Sequence, residues 1–154
     1  MQIRKIALTV ALCLAALAVC AASNPNMGTW KLNDAKSKFP AGATKNTTVV
    51  YAAAGDQVKV TTDGTSGDGK PVHTEWTGNF DGKEYPLTGD PSADMRSYKK
   101  LNDHTLELTN MKDGKVTASG RIVVSADGMA RTVTVHGTAA DGKKFSYTAV
   151  YDKQ

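Results

Sequence analysis

The sequence predicts an all-β domain, an up-and-down antiparallel β-barrel of about ten strands, and three observations carry that prediction. Asp-Gly pairs recur at Asp63-Gly64, Asp68-Gly69, Asp81-Gly82, Asp113-Gly114, Asp127-Gly128 and Asp141-Gly142. Between them the residues alternate apolar and polar with period two, as half-buried strands do. The last three pairs fall about 14 residues apart, which is one strand plus its turn. Asp-Gly between alternating segments signals a hairpin, because a type I′ turn places both central residues at positive φ and Gly accepts that freely.

The chain opens with Arg4 and Lys5, followed by an uncharged apolar run from Ile6 to Val19. That run is shorter than the roughly 20 residues a bilayer crossing needs. A basic start, an apolar middle and small residues after it form the pattern of a secretory signal peptide. Residues 1–22 are therefore expected to be a leader and 23–154 one domain, with cleavage after Ala21 or Ala22. Leu17-Ala18-Val19-Cys20 also resembles a lipobox, which makes Cys20 a candidate for lipidation. The expected location is secreted or periplasmic, with a membrane contact only through a lipid on Cys20. Both cysteines, Cys13 and Cys20, lie in this leader, so the mature domain is expected to rest on its core rather than on disulfides.

After the leader, strands are expected near Gly28–Asn33, Thr47–Ala54, Gln57–Thr62, Pro71–Phe80 and Lys83–Thr88, then Met95–Leu101, Thr105–Met111, Lys115–Ser125, Ala130–Ala139 and Lys144–Tyr151. Asp34–Phe39 reads as one short helical turn capped by Asp34. The alternation also sorts faces. Val72 and Trp76 oppose His73 and Glu75; Val133 and Val135 oppose Thr134 and His136; Phe145, Tyr147, Ala149 and Tyr151 oppose Ser146 and Thr148. One apolar and one Thr-rich face per strand is what a sheet with one side on a core produces. A two-sheet sandwich satisfies the same alternation, but short sequential hairpins favour a closed barrel, which also removes exposed edges.

Several function classes lose support at this level. Of 19 basic residues, Arg4 and Lys5 belong to the leader, leaving 17 against 15 acidic ones. The lysines are scattered among turns, so no basic face for nucleic acid is expected. No nucleophile elbow, zinc-protease, phosphate-loop or dinucleotide motif occurs, and no cofactor is expected. His73, Glu75 and His136 are a candidate metal or acid–base set. Each opposes an apolar face, however, which directs them to solvent. His104 reads as a turn residue. Asn46-Thr47-Thr48 matches a glycosylation acceptor that matters only in a host using that system.

The aromatics are the better clue. Tyr51, Trp76, Phe145 and Tyr147 fall on apolar faces, where Ala118, Gly120, Gly137 and Ala149 provide small positions. Small residues beside aromatics inside a barrel leave room for an apolar ligand. The same residues also suit a simply filled core.

Gly28-Thr29-Trp30, opening the first strand, matches the G-x-W signature of the lipocalins. The chain also resembles secreted bacterial lipocalin-like (calycin-type) β-barrel proteins over nearly all of its mature part. Gly28–Asn33 with Ala35–Phe39, Phe80–Pro86 and Val150–Gln154 carry that likeness. The resemblance implies a lipocalin or fatty-acid-binding-protein-like barrel in which Trp30 closes one end. Arg121 and Arg131 are, by location, the candidates for the arginine that packs on such a Trp. The likeness does not extend to the lipocalin disulfide or C-terminal helix.

Three readings of function follow. The first is a secreted or periplasmic binding protein for a small apolar ligand, with Tyr51, Trp76, Phe145 and Tyr147 as its wall. The second is an envelope or extracellular interaction protein with a filled, ligand-free barrel. The third is an isomerase or cyclase working inside a barrel, which needs inward acid–base groups.

Overall fold

The computed structural model describes residues 24–154, so the expected leader and Cys20 lie outside the described residues. Ten strands follow in chain order: β1 (Gly28–Leu32), β2 (Lys45–Ala54), β3 (Gln57–Thr65), β4 (Pro71–Gly78), β5 (Tyr85–Thr88), β6 (Met95–Asn102), β7 (Thr105–Lys112), β8 (Lys115–Val124), β9 (Ala130–Thr138) and β10 (Lys144–Lys153). Each pairs antiparallel with its sequence neighbour, and β1 pairs with both β2 and β10. The sheet is a closed up-and-down barrel, which excludes the sandwich.

Local chemistry departs from expectation in several places. The type I′ turn occurs at Asp113-Gly114, where φ is 51° and 73°. At Ser66–Lys70 and Ala139–Lys143 a type I turn is followed by one left-handed glycine instead. There Gly69 and Gly142 donate back to Ser66 and Ala139, whose own N–H groups donate to Lys70 and Lys143. A single positive φ is enough for those loops, so only the glycine is unusual.

Asp63-Gly64 is not a turn. It lies inside β3, opposite an irregular register at Asn46/Thr48, and the missing Cβ admits the Lys45 backbone. The helical turn is a single 3-10 turn, Asp34–Lys36, capped by Asn33 rather than Asp34.

β5 is shorter than expected. Lys83 and Glu84 are exposed, and Pro86 has no N–H to give. Two register pairs on each side are all that hold this strand.

The alternation of faces holds. Trp30, Tyr51, Val60, Trp76, Leu106, Ile122, Val135, Ala149 and Tyr151 are buried inside, while His73 and His136 are exposed. Trp30 at one end of the bore is fully buried, and its indole N–H donates to the Asn26 carbonyl at 2.9 Å. Replacing Trp30 by Ala is expected to lower the unfolding free energy by about 3–5 kcal/mol, the usual cost of truncating a large buried aromatic. Val116→Ala, on an exposed side chain, should stay within about 0.5 kcal/mol. Urea denaturation of the two variants checks both values.

Candidate ligand-binding site

The two ends of the barrel are chemically different. One end carries the start of β1, the β2–β3, β4–β5, β6–β7 and β8–β9 turns and the chain terminus. Here Arg131, at the start of β9, is buried among three rings. Its guanidinium carbon lies 5.0 Å from the Trp30 ring, 5.0 Å from Tyr51 and 4.7 Å from Tyr151. Lys153 adds a second cation 5.1 Å from Trp30 and donates to the Pro25 carbonyl. Of the two arginines expected by location, Arg131 is therefore the one on Trp30; Arg121 faces solvent. Arg131 Nε and Nη1 are buried without a hydrogen-bond acceptor, so the ring faces supply most of what water would have given. Burial pushes the Tyr51 and Tyr151 phenols well above their ordinary range, opposed by the Arg131 charge.

Next inward is a packed aromatic cluster. Trp76 meets Tyr98 edge to face at 4.8 Å, Tyr85 at 5.7 Å and Phe80 at 6.3 Å, and Tyr51 reaches Phe80 and Tyr98 at 6.3 Å. The Trp76 indole N–H donates to the Arg96 carbonyl at 2.9 Å. Tyr51 and Trp76, both expected in a ligand wall, are thus engaged in filling this half of the bore.

The opposite end carries the β3–β4, β5–β6, β7–β8 and β9–β10 connections and the loop before β2. Its rings are only half buried. Phe39, from that loop, stacks on Tyr147 at 5.4 Å, and Tyr147 stacks on Phe145 at 6.5 Å. Two clefts flank the stack. One, of about 450 Å³, sits at the β9–β10 hairpin between Gly137 and Phe145. The other, of about 710 Å³, lies under the 33–44 loop beside Phe39, Lys45 and Thr47. Phe145 and Tyr147 therefore stand at the mouth, while Tyr51 and Trp76 stand deep in the bore. Burial raises the Tyr147 phenol pKa, with the Arg96 charge pulling the other way.

Between mouth and cluster runs a polar belt that alternation did not single out. Thr62 and Thr74 are buried with their hydroxyls 2.6 Å apart. Arg96, also buried, donates from Nε to Asn110 Oδ1 at 2.7 Å. Each lies at an inward position of its strand, and Thr and Arg there break the apolar pattern; that break was the available signal.

The polar set on the outside is a surface array. His73 Nδ1 lies 2.6 Å from Asp63 Oδ1 and Nε2 3.4 Å from Glu75 Oε1, and Lys59 donates to Glu75 at 3.0 Å. His136 Nε2 is 3.1 Å from the Ser119 hydroxyl, also outside. Among the described residues no three His, Cys, Asp or Glu side chains are grouped to hold a metal ion. The Asp63 and Glu75 hydrogen bonds raise the His73 pKa.

No family model matches the chain, and no curated protein matches it. Solved structures do. EF1p2_mFAP2b bound to DFHBI is 14% identical, with a TM-score of 0.52, over 86% of this chain and 97% of that one. The redesigned β-barrel mFAP1 bound to DFHBI is 18% identical with a TM-score of 0.47 over 84% and 95%. The redesigned β-barrel mFAP0, also with DFHBI, is 16% identical with a TM-score of 0.41 over 84% and 99%. These are likenesses of fold.

NMR titration should find the His73 imidazole above the ordinary value of 6.5, and Asp63→Asn should bring it down. Because the folded-state pKa is the higher one, any stability from this pairing is present below the ordinary value and fades as pH rises through the folded one. An unchanged His73 titration in Asp63→Asn contradicts the assignment.

Proposed function

We propose that this chain is an exported binding protein, secreted or periplasmic, that holds a small apolar ligand in the half of its barrel opposite Trp30. One observation carries the reading: the barrel is filled at the Arg131 end, but at the other end two half-buried rings, Phe39 and Phe145, each stacked on Tyr147, border open clefts. Exposed aromatic faces at the mouth of a barrel offer an apolar molecule contact area at low entropic cost. The EF1p2_mFAP2b barrel, bound to DFHBI, has the same overall fold and so supports the capacity of such a barrel for a small molecule. Export is supported by the basic, apolar and small-residue succession of residues 1–22. Attachment to the envelope would depend on Cys20.

The second reading, an interaction protein with a filled barrel, draws on the packed cluster around Trp76, which occupies the other half.

The deciding experiment expresses the full chain in a bacterial host, recovers it from periplasm and medium, and reads its N-terminus and bound molecules by mass spectrometry. A neutral fluorescent probe such as Nile red is expected to bind one site. Tyr147→Ala is expected to weaken that binding up to about tenfold, the upper range for one aromatic contact. Absence of probe binding and of any co-purifying apolar molecule would favour the filled-barrel reading.

A further inference from the structure

The exposed apolar side chains are unevenly placed. Among the described residues the large ones in solvent are Leu101, Val116, Val123 and Met129. Val116, near the start of β8, lies on the mouth side. The other three lie at the Trp30 end: Leu101 near the end of β6, Val123 near the end of β8 and Met129 in the β8–β9 turn. Single exposed apolar residues are ordinary, whereas a group of them on one rim marks an interaction surface.

The register keeps the three together. Leu101 sits at the β6 irregularity, between the pairs Lys100 with Leu106 and Asn102 with Thr105, and Thr105 pairs on its other side with Val123. Leu101 and Val123 are thus two strands apart, about 10 Å at the usual strand spacing. Val123 pairs in turn with Thr132 of β9, three residues on from Met129.

The chain enters the barrel on this same rim. The Lys153 amide donates to the Met129 carbonyl at 2.8 Å, and the Lys153 ammonium donates to the Pro25 carbonyl at 3.3 Å. One residue therefore joins Met129 to the segment that leads into β1. Cys20 is four residues before Asn24, a reach of at most about 14 Å. An anchor at Cys20 would thus hold the Trp30 end, and not the mouth, against a bilayer.

The mouth rim has a different character. Two of its hairpins carry exposed ion pairs, Lys70 with Asp68 at 2.8 Å and Lys143 with Asp141 at 3.0 Å. On the Trp30 rim Lys83, Lys99 and Lys100 are offset by Asp56, Asp103 and Asp127, so headgroup charge favours neither sign of lipid there. Apolar contact is what that rim offers.

Resting on the export reading above, with attachment through Cys20, we propose that the Trp30 end is a membrane-docking face. Leu101, Val123 and Met129 rest in the bilayer interface, and the mouth with Phe39 and Phe145 points away from it. A tether makes this contact intramolecular, so three side chains suffice where an untethered protein needs more apolar area.

The test exploits a domain without thiols, since Cys13 and Cys20 precede residue 24. The full chain is expressed in a bacterial host and recovered in the processed form that host makes. It carries one introduced cysteine, Met129→Cys or Val116→Cys, labelled with the environment-sensitive dye NBD. Each protein is combined with phosphatidylcholine vesicles containing doxyl-lipid quenchers. The label at 129 is expected to shift to the blue and to be quenched, and the label at 116 to do neither. Adding Leu101→Lys and Val123→Lys, both at exposed positions that should leave folding intact, is expected to abolish the shift at 129. Equal behaviour of the two labels, a shift that survives both lysines, or a chain that ignores the vesicles overturns the docking face. Nile red binding without vesicles is read separately. Its presence in a chain that does not dock leaves the ligand reading standing, and its absence in a chain that docks removes only the ligand.

Discussion

Where this barrel closes, the ladder is thin: β1 meets β10 through three register pairs, Trp30 with Lys153, Lys31 with Asp152 and Leu32 with Tyr151. The Arg131 cage lies on that seam. Its rings come from β1, β2 and β10 and its cation from β9, so one guanidinium draws four strands together. A bare cation would be costly here, but ring faces carry partial negative charge and pack tightly. The arrangement therefore seals the bore and fastens the first strands to the last. Everything nearer the mouth depends on a wall closed in this way.

With the Arg131 end filled, the open clefts lie at the other. The Trp76 cluster extends the filled region inward from the cage, and the Thr62–Thr74 pair with Arg96 and Asn110 forms a polar belt on its mouth side. Beyond it stands the Phe39–Tyr147–Phe145 stack, whose outer rings, Phe39 and Phe145, line the clefts. Phe39 comes from a loop rather than a strand, and Lys45 sits 5.3 Å over its ring. The mouth is thus built partly from a segment held by fewer ladder bonds than the wall. The β5 strand, with two pairs on each side, is the other lightly held element. Local opening concentrates where backbone pairing is sparse.

Strand number, order and facing were legible because they follow from period-two alternation and from glycine at the turns. Trp76, Val133 and Tyr151 face inward for the same reason that His73 and His136 face outward. Less was legible about the site. The four wall residues share one chemical description in sequence, yet Tyr51 and Trp76 are deep and engaged while Phe145 and Tyr147 stand at the mouth. Nothing in alternation states how far along the bore a residue sits, since that depends on the stagger of the strands around the barrel. Arg96 was missed because a lone arginine in a strand reads as surface unless its parity is given more weight than its charge.

From the amino-acid order alone came an expected leader, an all-β chain, a succession of hairpins and a division of every strand into core and solvent faces. These are local properties, written into residue type and spacing. Tertiary structure decided the rest: closure rather than a sandwich, Arg131 rather than Arg121 on Trp30, a bore packed with rings at the Arg131 end, and an Arg96 buried without a carboxylate partner. Those outcomes depend on the register between strands far apart in sequence. Which residues share a level of the bore is set only when β1 and β10 meet.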